Sequence, residues 1–300
     1  MGTFSVDVIL RTHNREALLG DAIASFFAAD HSAIAARLLV VDNRSSDGTP
    51  ALLAELAARH GPALVPIRED TPGGQHALNA GLARAEAPVV AFFDDDERVA
   101  SDWLQVIARE MADPATDYIA GPALPLWDEP APDWLPDGFG GVLGIIDSGP
   151  ERRAFGHDFA GMLTQGNCAL RRSIFAETGP YPADLPTGED RWLYEWLQAH
   201  GKRGFYCPDL RIHHVMQRER LSQAYFRQWA AREGRDRAVC DRLADAPNVF
   251  VQKWFWRYLG GAAGTLLSGR GSKAERFKAE LELRQARARF AETLFRRGRG

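Results

Sequence analysis

Four short apolar, β-branched runs punctuate the first hundred residues: FSVDVIL (4–10), ARLLVVD (36–42), ALVPIRE (63–69) and PVVAFFD (88–94). Each is too short for a typical helix and reads as a strand. Between them lie segments of helical composition, EALLGDAIASFFAA, TPALLAELAARHG and QHALNAGLARAEA. In the second of these, Thr49 is placed to cap, Pro50 to take the first helical position and Gly61 to stop the helix. Strands that alternate with helices leave few folds open, and the expectation is an α/β chain with a mainly parallel central sheet flanked by helices on both faces. Such sheets bind ligands beyond the carboxyl ends of their strands.

After Trp103 comes one more helical stretch, then a Pro-, Gly- and Trp-rich region from Gly121 to Gly149 that reads as loops over a site. GNCALRRSIFAETGPY and GEDRWLYEWLQAHGKRGFYCPDLRIHHV restore regular structure: a short strand and helix, a helix from about Asp190 to His200, and a strand ending at His213 and His214. From Leu221 the chain reads as helical, with the aromatic segment VFVQKWFWRYLGG and the arginine-rich helix AERFKAELELRQARARFAETLFRR. Charge separates this tail from the body. Arg270 to Gly300 holds ten Lys or Arg against four Glu, although the whole chain carries a formal net charge of −4. That balance offers no global attraction for nucleic acid, and none is expected as a partner. Cys168, Cys207 and Cys240 are far apart and lack paired metal-ligand spacing, which fits a reducing cytoplasm rather than a disulfide framework or a zinc site. FSVDVIL is interrupted by Asp7 and is no signal sequence, and no stretch reaches membrane-spanning length.

Candidate chemistry sits at the predicted strand ends. FFDDDE places Asp94, Asp95 and Asp96 in succession, and three clustered carboxylates repel one another unless a countercharge is supplied. Mg²⁺ or Mn²⁺ is a natural countercharge, since such ions use one or two carboxylates and leave positions for substrate phosphates. A solvated acidic loop is the alternative. Asp42 ends the second strand, where it can accept from a ribose hydroxyl or a base N–H, or simply serve a turn. The first strand runs into Thr12, Asn14 and Arg15, whose hydroxyl, amide and guanidinium suit base, ribose and phosphate, with a helix cap at Asn14 as the rival reading. Asp70 and the Gly73-Gly74 pair end the third strand and would let backbone approach a ligand, or form only a loop. No G-x-G-x-x-G follows the first strand and no G-x-x-x-x-G-K-[ST] occurs, which disfavours dinucleotide oxidoreductases and P-loop enzymes.

ILRTHNRE, LLVVDNRSSDGT, VVAFFDDDERVASDWL, GNCALRRSIFAETGPY and PTGEDRWLYEWL, in this order across residues 4 to 235, together resemble family 2 glycosyltransferases of the GT-A fold. The resemblance implies a GT-A domain over residues 1–220, with a nucleotide-binding half to about residue 100 and an acceptor half beyond it, followed by a helical extension over 221–300. It implies an inverting transfer from a nucleotide-diphosphate sugar, with a UDP-sugar favoured, to a saccharide, lipid-linked or other hydroxyl acceptor in bacterial glycan or glycoconjugate synthesis. Asp42 and the loop from Thr12 to Arg15 would surround base and ribose. Asp94 and Asp96 would form the DxD pair, with Asp96 on a Mn²⁺ or Mg²⁺ ion and Asp95 on donor or water. Asp190 would be the general base, and His214 would close over the diphosphate and join the metal shell. Arg11 stands where Pro is common in the family, His13 where an aromatic residue is common, and Leu78 where many members carry Arg.

On that reading the helix N-terminus should hold Asp190 ionised and lower its basicity. Glu189 would orient acceptor or sugar hydroxyls, and Trp134 and Trp192 are the tryptophans offered as sugar-stacking surfaces. The aromatic and basic tail suggests peripheral contact with an anionic membrane at its cytoplasmic face, against the alternative of packing on protein. A non-catalytic nucleotide-sugar-binding protein is the main rival. A Mg²⁺-dependent phosphatase is a weaker one, because its Asp pair follows the first strand.

Overall fold

The computed structural model describes residues 3–127, 130–183, 185, 188–243, 250 and 253–295. Pro186 and Thr187 of the PTGEDRW segment, and Val249, Val251 and Gln252 of the aromatic segment, lie outside the described residues. The chain divides into two compact units, Met1–Leu126 with Ile146–Val215, and Trp127–Ile145 with Met216–Gly300.

In the first unit β1 (Phe4–Thr12), α1 (Glu16–Ala28), β2 (Ile34–Asp42), α2 (Thr49–His60), β3 (Leu64–Arg68), α3 (Gly74–Arg84) and β4 (Val89–Phe93) alternate as the sequence predicts. They are followed by β5 (Glu97–Val99), α4 (Trp103–Glu110), β6 (Tyr118–Ala120), β7 (Ala123–Leu126), β8 (Arg153–Ala154), β9 (Asn167–Arg171), α5 (Ser173–Thr178), α6 (Glu189–Ala199), β10 (Gly204–Tyr206) and β11 (Ile212–Val215). One sheet has the order β3-β2-β1-β4-β9-β6-β10-β8, and a smaller one the order β5-β11-β7. β1 pairs in parallel with both β2 and β4, while β9 runs antiparallel to β4 and β6. Because successive strand residues face opposite sides, Val8 and Leu10 of β1 join one core with Leu19, Ile23 and Phe26 of α1, whereas Ile9 joins the other with Ala77 and Leu78 of α3. This double burial explains why the strands read as continuous apolar runs.

The strand order reverses at β1. The chain builds outward through β2 and β3, then returns through α3 to set β4 on the other side of β1. Crevices of doubly wound sheets open at such a switch point. One local expectation is corrected here: Thr49 is the first residue of α2 rather than its cap, and Pro50 follows it. The fully buried Thr49 hydroxyl instead accepts from the Arg15 N–H at 3.0 Å, and Asp47 takes up the Thr49 N–H at 3.0 Å.

The second unit contains α7 (Gln223–Leu243), α8 (Lys253–Ser268) and α9 (Lys273–Phe295). Its core joins Phe139, Val142 and Leu143 to Phe226, Phe277 and Leu281, and Arg227 clamps α7 to α9 through both oxygens of Glu280 at 2.6 and 2.9 Å. Residues 130–145, which read as loops, therefore supply apolar side chains to this helical core. Among the described residues no helix is long and apolar enough to cross a membrane.

Candidate active site at the carboxyl end of the sheet

The ends of β1, β2 and β4 converge on one crevice. Thr12 and Asp42 are register partners on β1 and β2, and both are buried. Asp42 accepts from the Ser45 N–H at 2.9 Å and from Arg68 at 2.5 Å, and Arg68 also holds the exposed Asp70 at 2.9 Å. Asn14 adopts a left-handed backbone (φ 53°), and its side-chain oxygen accepts from the Ser46 N–H at 2.8 Å. Its own N–H donates to Ser45, so Asn14 ties the β1–α1 loop to the β2–α2 loop, and the N-cap position of α1 falls to Arg15. Asn43, unmarked by the sequence reading, does the same for the third loop: its amide donates to the Thr71 carbonyl at 2.7 Å and accepts from the Gly73 N–H at 2.9 Å.

The aspartate run leaves β4 at a tight turn. Asp95 accepts from the Thr12 hydroxyl at 2.7 Å and lies 3.6 Å from Arg15. Asp94 lies 3.6 Å from Arg11, and its N–H donates to the buried Glu97 at 2.7 Å. Asp96 meets His214 Nε2 at 3.2 Å, because the antiparallel pairing of β11 with β5 sets His214 opposite Glu97. His213 alternates to the other face of β11 and pairs with Arg98. Burial, with Asp96 adding repulsion, raises Asp94 despite the opposing charge of Arg11. Burial likewise raises Asp95 to about 7, against the Thr12 hydrogen bond and with Asp96 and Asp94 adding repulsion. Glu97 is pushed well up, first by burial and then by Asp94.

These groups fit a divalent cation. Asp94 and Asp95 are raised by burial and mutual repulsion, and among the described residues the buried His214 Nδ1 has no hydrogen-bond partner. Among the described residues there is no ready cluster of three or more metal-binding side chains. A hard cation held here would thus take Asp96 and His214 from the protein and its remaining ligands from phosphate and water, as Mg²⁺ commonly does.

α6 brings a second pair of carboxylates. Gly188 stands in the left-handed region (φ 90°), which a glycine adopts without penalty, and turns the chain into the helix at Glu189 and Asp190. Glu189 is 2.5 Å from Arg11, and Asp190 accepts from the Gln165 N–H at 2.8 Å. Burial favours the neutral form of Glu189, but Arg11 and the local N–H groups outweigh it and leave its carboxyl below the usual range. Asp190 goes the other way, to about 7, through burial and the neighbouring charge of Glu189. The expectation that the helix terminus lowers Asp190 is therefore corrected: enclosure and a like charge exceed the dipole.

In the sequence Arg11 stands out only as a departure from the family pattern. A guanidinium at the end of an apolar strand, beside a predicted carboxylate cluster, was the available signal. Gly74 admits it, since a Cβ there would stand 2.5 Å from Arg11 Nη1. Trp192 packs on Tyr181 with ring centroids 5.4 Å apart, and Tyr181 accepts from the Gln165 amide. Trp134 lies in the second unit, edge-on to Phe226 and Phe277 at 5.3 and 5.5 Å.

A mixed sheet of this order, with acidic residues at the switch point, defines a GT-A-type fold. The mannosyltransferase PcManGT from Pyrobaculum calidifontis, solved with GDP-Man and Mn²⁺, superposes with a TM-score of 0.67 at 20% identity, covering 96% of this chain and 86% of that one. TarS from S. aureus, solved as residues 1–349 with UDP, gives 0.52 at 17% identity, covering 77% and 65%. Residues 7–179 match the family described as Glycosyl transferase family 2, and the chain belongs to that family. A beta-monoglucosyldiacylglycerol synthase from Synechocystis is 30% identical over 112 residues, 36% of this chain. The matches span between 23% and 50% of the length of the first curated relatives.

Proposed function

We propose that the chain transfers a sugar, with inversion, from a nucleotide-diphosphate sugar to an acceptor hydroxyl. The observation that carries this reading is the crevice itself. A cation-seeking aspartate run at the end of β4 is tied through Arg11 to a carboxylate pair on α6, and burial beside Glu189 pushes the other member of that pair, Asp190, up to about 7. In this reading Asp42, Asp70, Thr12, Asn14 and Arg15 bind base and ribose, Gly74 and Asp94 line the donor, and Asp95 holds the β1 loop. Asp190 receives the acceptor proton as the hydroxyl oxygen attacks the anomeric carbon and the bond to the nucleoside diphosphate breaks. Glu189 and Trp192 flank the acceptor. A divalent cation on Asp96 and His214 supplies charge neutralisation for the leaving diphosphate.

The test is a panel of UDP-, GDP- and dTDP-sugars with and without Mn²⁺, read by thermal shift and by donor consumption. The expected result is Mn²⁺-dependent stabilisation, with the UDP series first, and turnover when an acceptor is supplied. Stabilisation without donor consumption under any condition would favour the non-catalytic binding protein, and no response to any nucleotide would remove both readings.

We also propose a peripheral contact between α8 and an anionic membrane. Supporting it, Trp256 and Leu267 lie three turns apart on one face of α8, and Leu267 is 89% exposed. Lys253 and Arg257 of the same helix, and Arg270 just beyond its end, are exposed. The full chain should float with anionic but not neutral liposomes; equal failure with both would remove the contact.

A further inference from the structure

Glu189 and Asp190 are adjacent acids at the start of one helix, and nothing in their covalent structure tells a proton which to choose. Their surroundings differ. Arg11, the penultimate residue of β1, passes over Gly74 at the start of α3 and meets Glu189 at 2.5 Å, with Asp94 at 3.6 Å on its other side. Among the described residues, Asp190 accepts a hydrogen bond from the Gln165 N–H alone, at 2.8 Å. We propose that Arg11 is a positioning residue that allocates the pair: it fixes Glu189 as a permanent anion and so leaves Asp190 as the group that takes up a proton. The inference rests on the transferase reading for its role in catalysis, but the allocation itself is a property of the unliganded protein.

Every charged or titratable group that faces Asp190 bears on this assignment. Glu189 on the same helix and Asp94 after β4 repel its charge, Arg11 from β1 attracts it, and Cys168 on β9 and Tyr181 before α6 lie close enough to interact with it. Among the described residues, Arg11 is the one cation in that set. Its contact with Glu189 favours that anion, and Asp190, held by the Gln165 N–H, then carries the variable proton. Remove Arg11, and Glu189 and Asp190 compete for one proton. The glycine at position 74 belongs to the same device, because any side chain there would meet the guanidinium.

The experiment is a carboxyl-carbon NMR titration of Asp190 in the unaltered chain, R11M and R11M/E189Q, paired with the pH dependence of transfer by the same proteins. In R11M the Asp190 titration and the acid limb of kcat should both move up by about one pH unit, with about fivefold less transfer at pH 7. In R11M/E189Q both should move back down, because the competing charge is gone. Loss of Arg11 that leaves the Asp190 titration in place, or an R11M shift that E189Q does not reverse, overturns the inference and assigns Arg11 a merely structural tie. Should R11M not fold, E189Q alone decides: Asp190 should titrate lower than in the unaltered chain, and an unchanged titration overturns the proposal. An NMR shift as expected in a chain that transfers no sugar would leave the allocation standing and sink the transferase reading instead.

Discussion

The two ends of the central sheet treat the same residue type in opposite ways. At the amino end of β1, Asp7 is buried and saturated: Arg37 donates to both oxygens at 2.8 Å, and the N–H groups of Glu86 and Ala87 donate at 2.6 and 2.9 Å. Burial alone would raise Asp7, but these partners hold its carboxyl below the usual range. At the carboxyl end, Asp94, Asp95 and Asp190 are enclosed with fewer fixed partners, and all three are raised. In the proposed reading the difference separates a carboxylate that holds the fold from carboxylates that take a cation or a proton. Burial is common to both ends, and the number of fixed donors decides which role follows.

The sharpest way to break this contrast is to neutralise one acid at each end. Asp190→Asn should cost about 10²- to 10⁴-fold in transfer, the range for loss of a well-placed general base. Its stability should not fall. A carboxyl raised in the folded state makes the protein less stable as pH rises from about 4 towards 7, and the amide removes that loss. Asp7→Asn should do the reverse, losing about 3 kcal/mol in urea denaturation by breaking a buried pair, while Mn²⁺-dependent nucleotide binding persists. The Asp7 contribution is present at neutral pH and disappears only as pH falls through its depressed folded value. Gly74→Ala should leave the melting temperature within a few degrees yet lower transfer severalfold, since the new methyl displaces the Arg11 guanidinium. Asp70→Ala, whose partner Arg68 is itself exposed, should change stability by no more than about 0.5 kcal/mol. A larger effect there would mean that Arg68 is held in place by Asp70 rather than by Asp42.

The parallel half of the sheet was legible because its strands are buried on both faces and their residues announce it. The crevice followed from topology, since α/β chains gather their loops at the carboxyl ends. Long-range pairings were not legible. Nothing local in RTHNRE indicates that Arg11 reaches Glu189, 178 residues away, or that Asn43 pins the loop before α3. Thr49 has the composition of a cap, yet a hydroxyl that finds a buried N–H from another loop is drawn inward. The segment ending at Ile145 lacks periodicity because its apolar residues, Trp134, Phe139 and Leu143 among them, meet a core made from helices that begin only at Gln223 and Lys273.

The most direct test is the pH dependence of kcat/KM for sugar transfer by the unaltered chain. An acid whose folded value lies at about 7 must lose its proton before it can accept another, so transfer should fall tenfold per pH unit below that point and level off above it. A rate that stays flat down to about pH 5 would contradict Asp190 as the proton acceptor and, with it, the account of the carboxyl end given above.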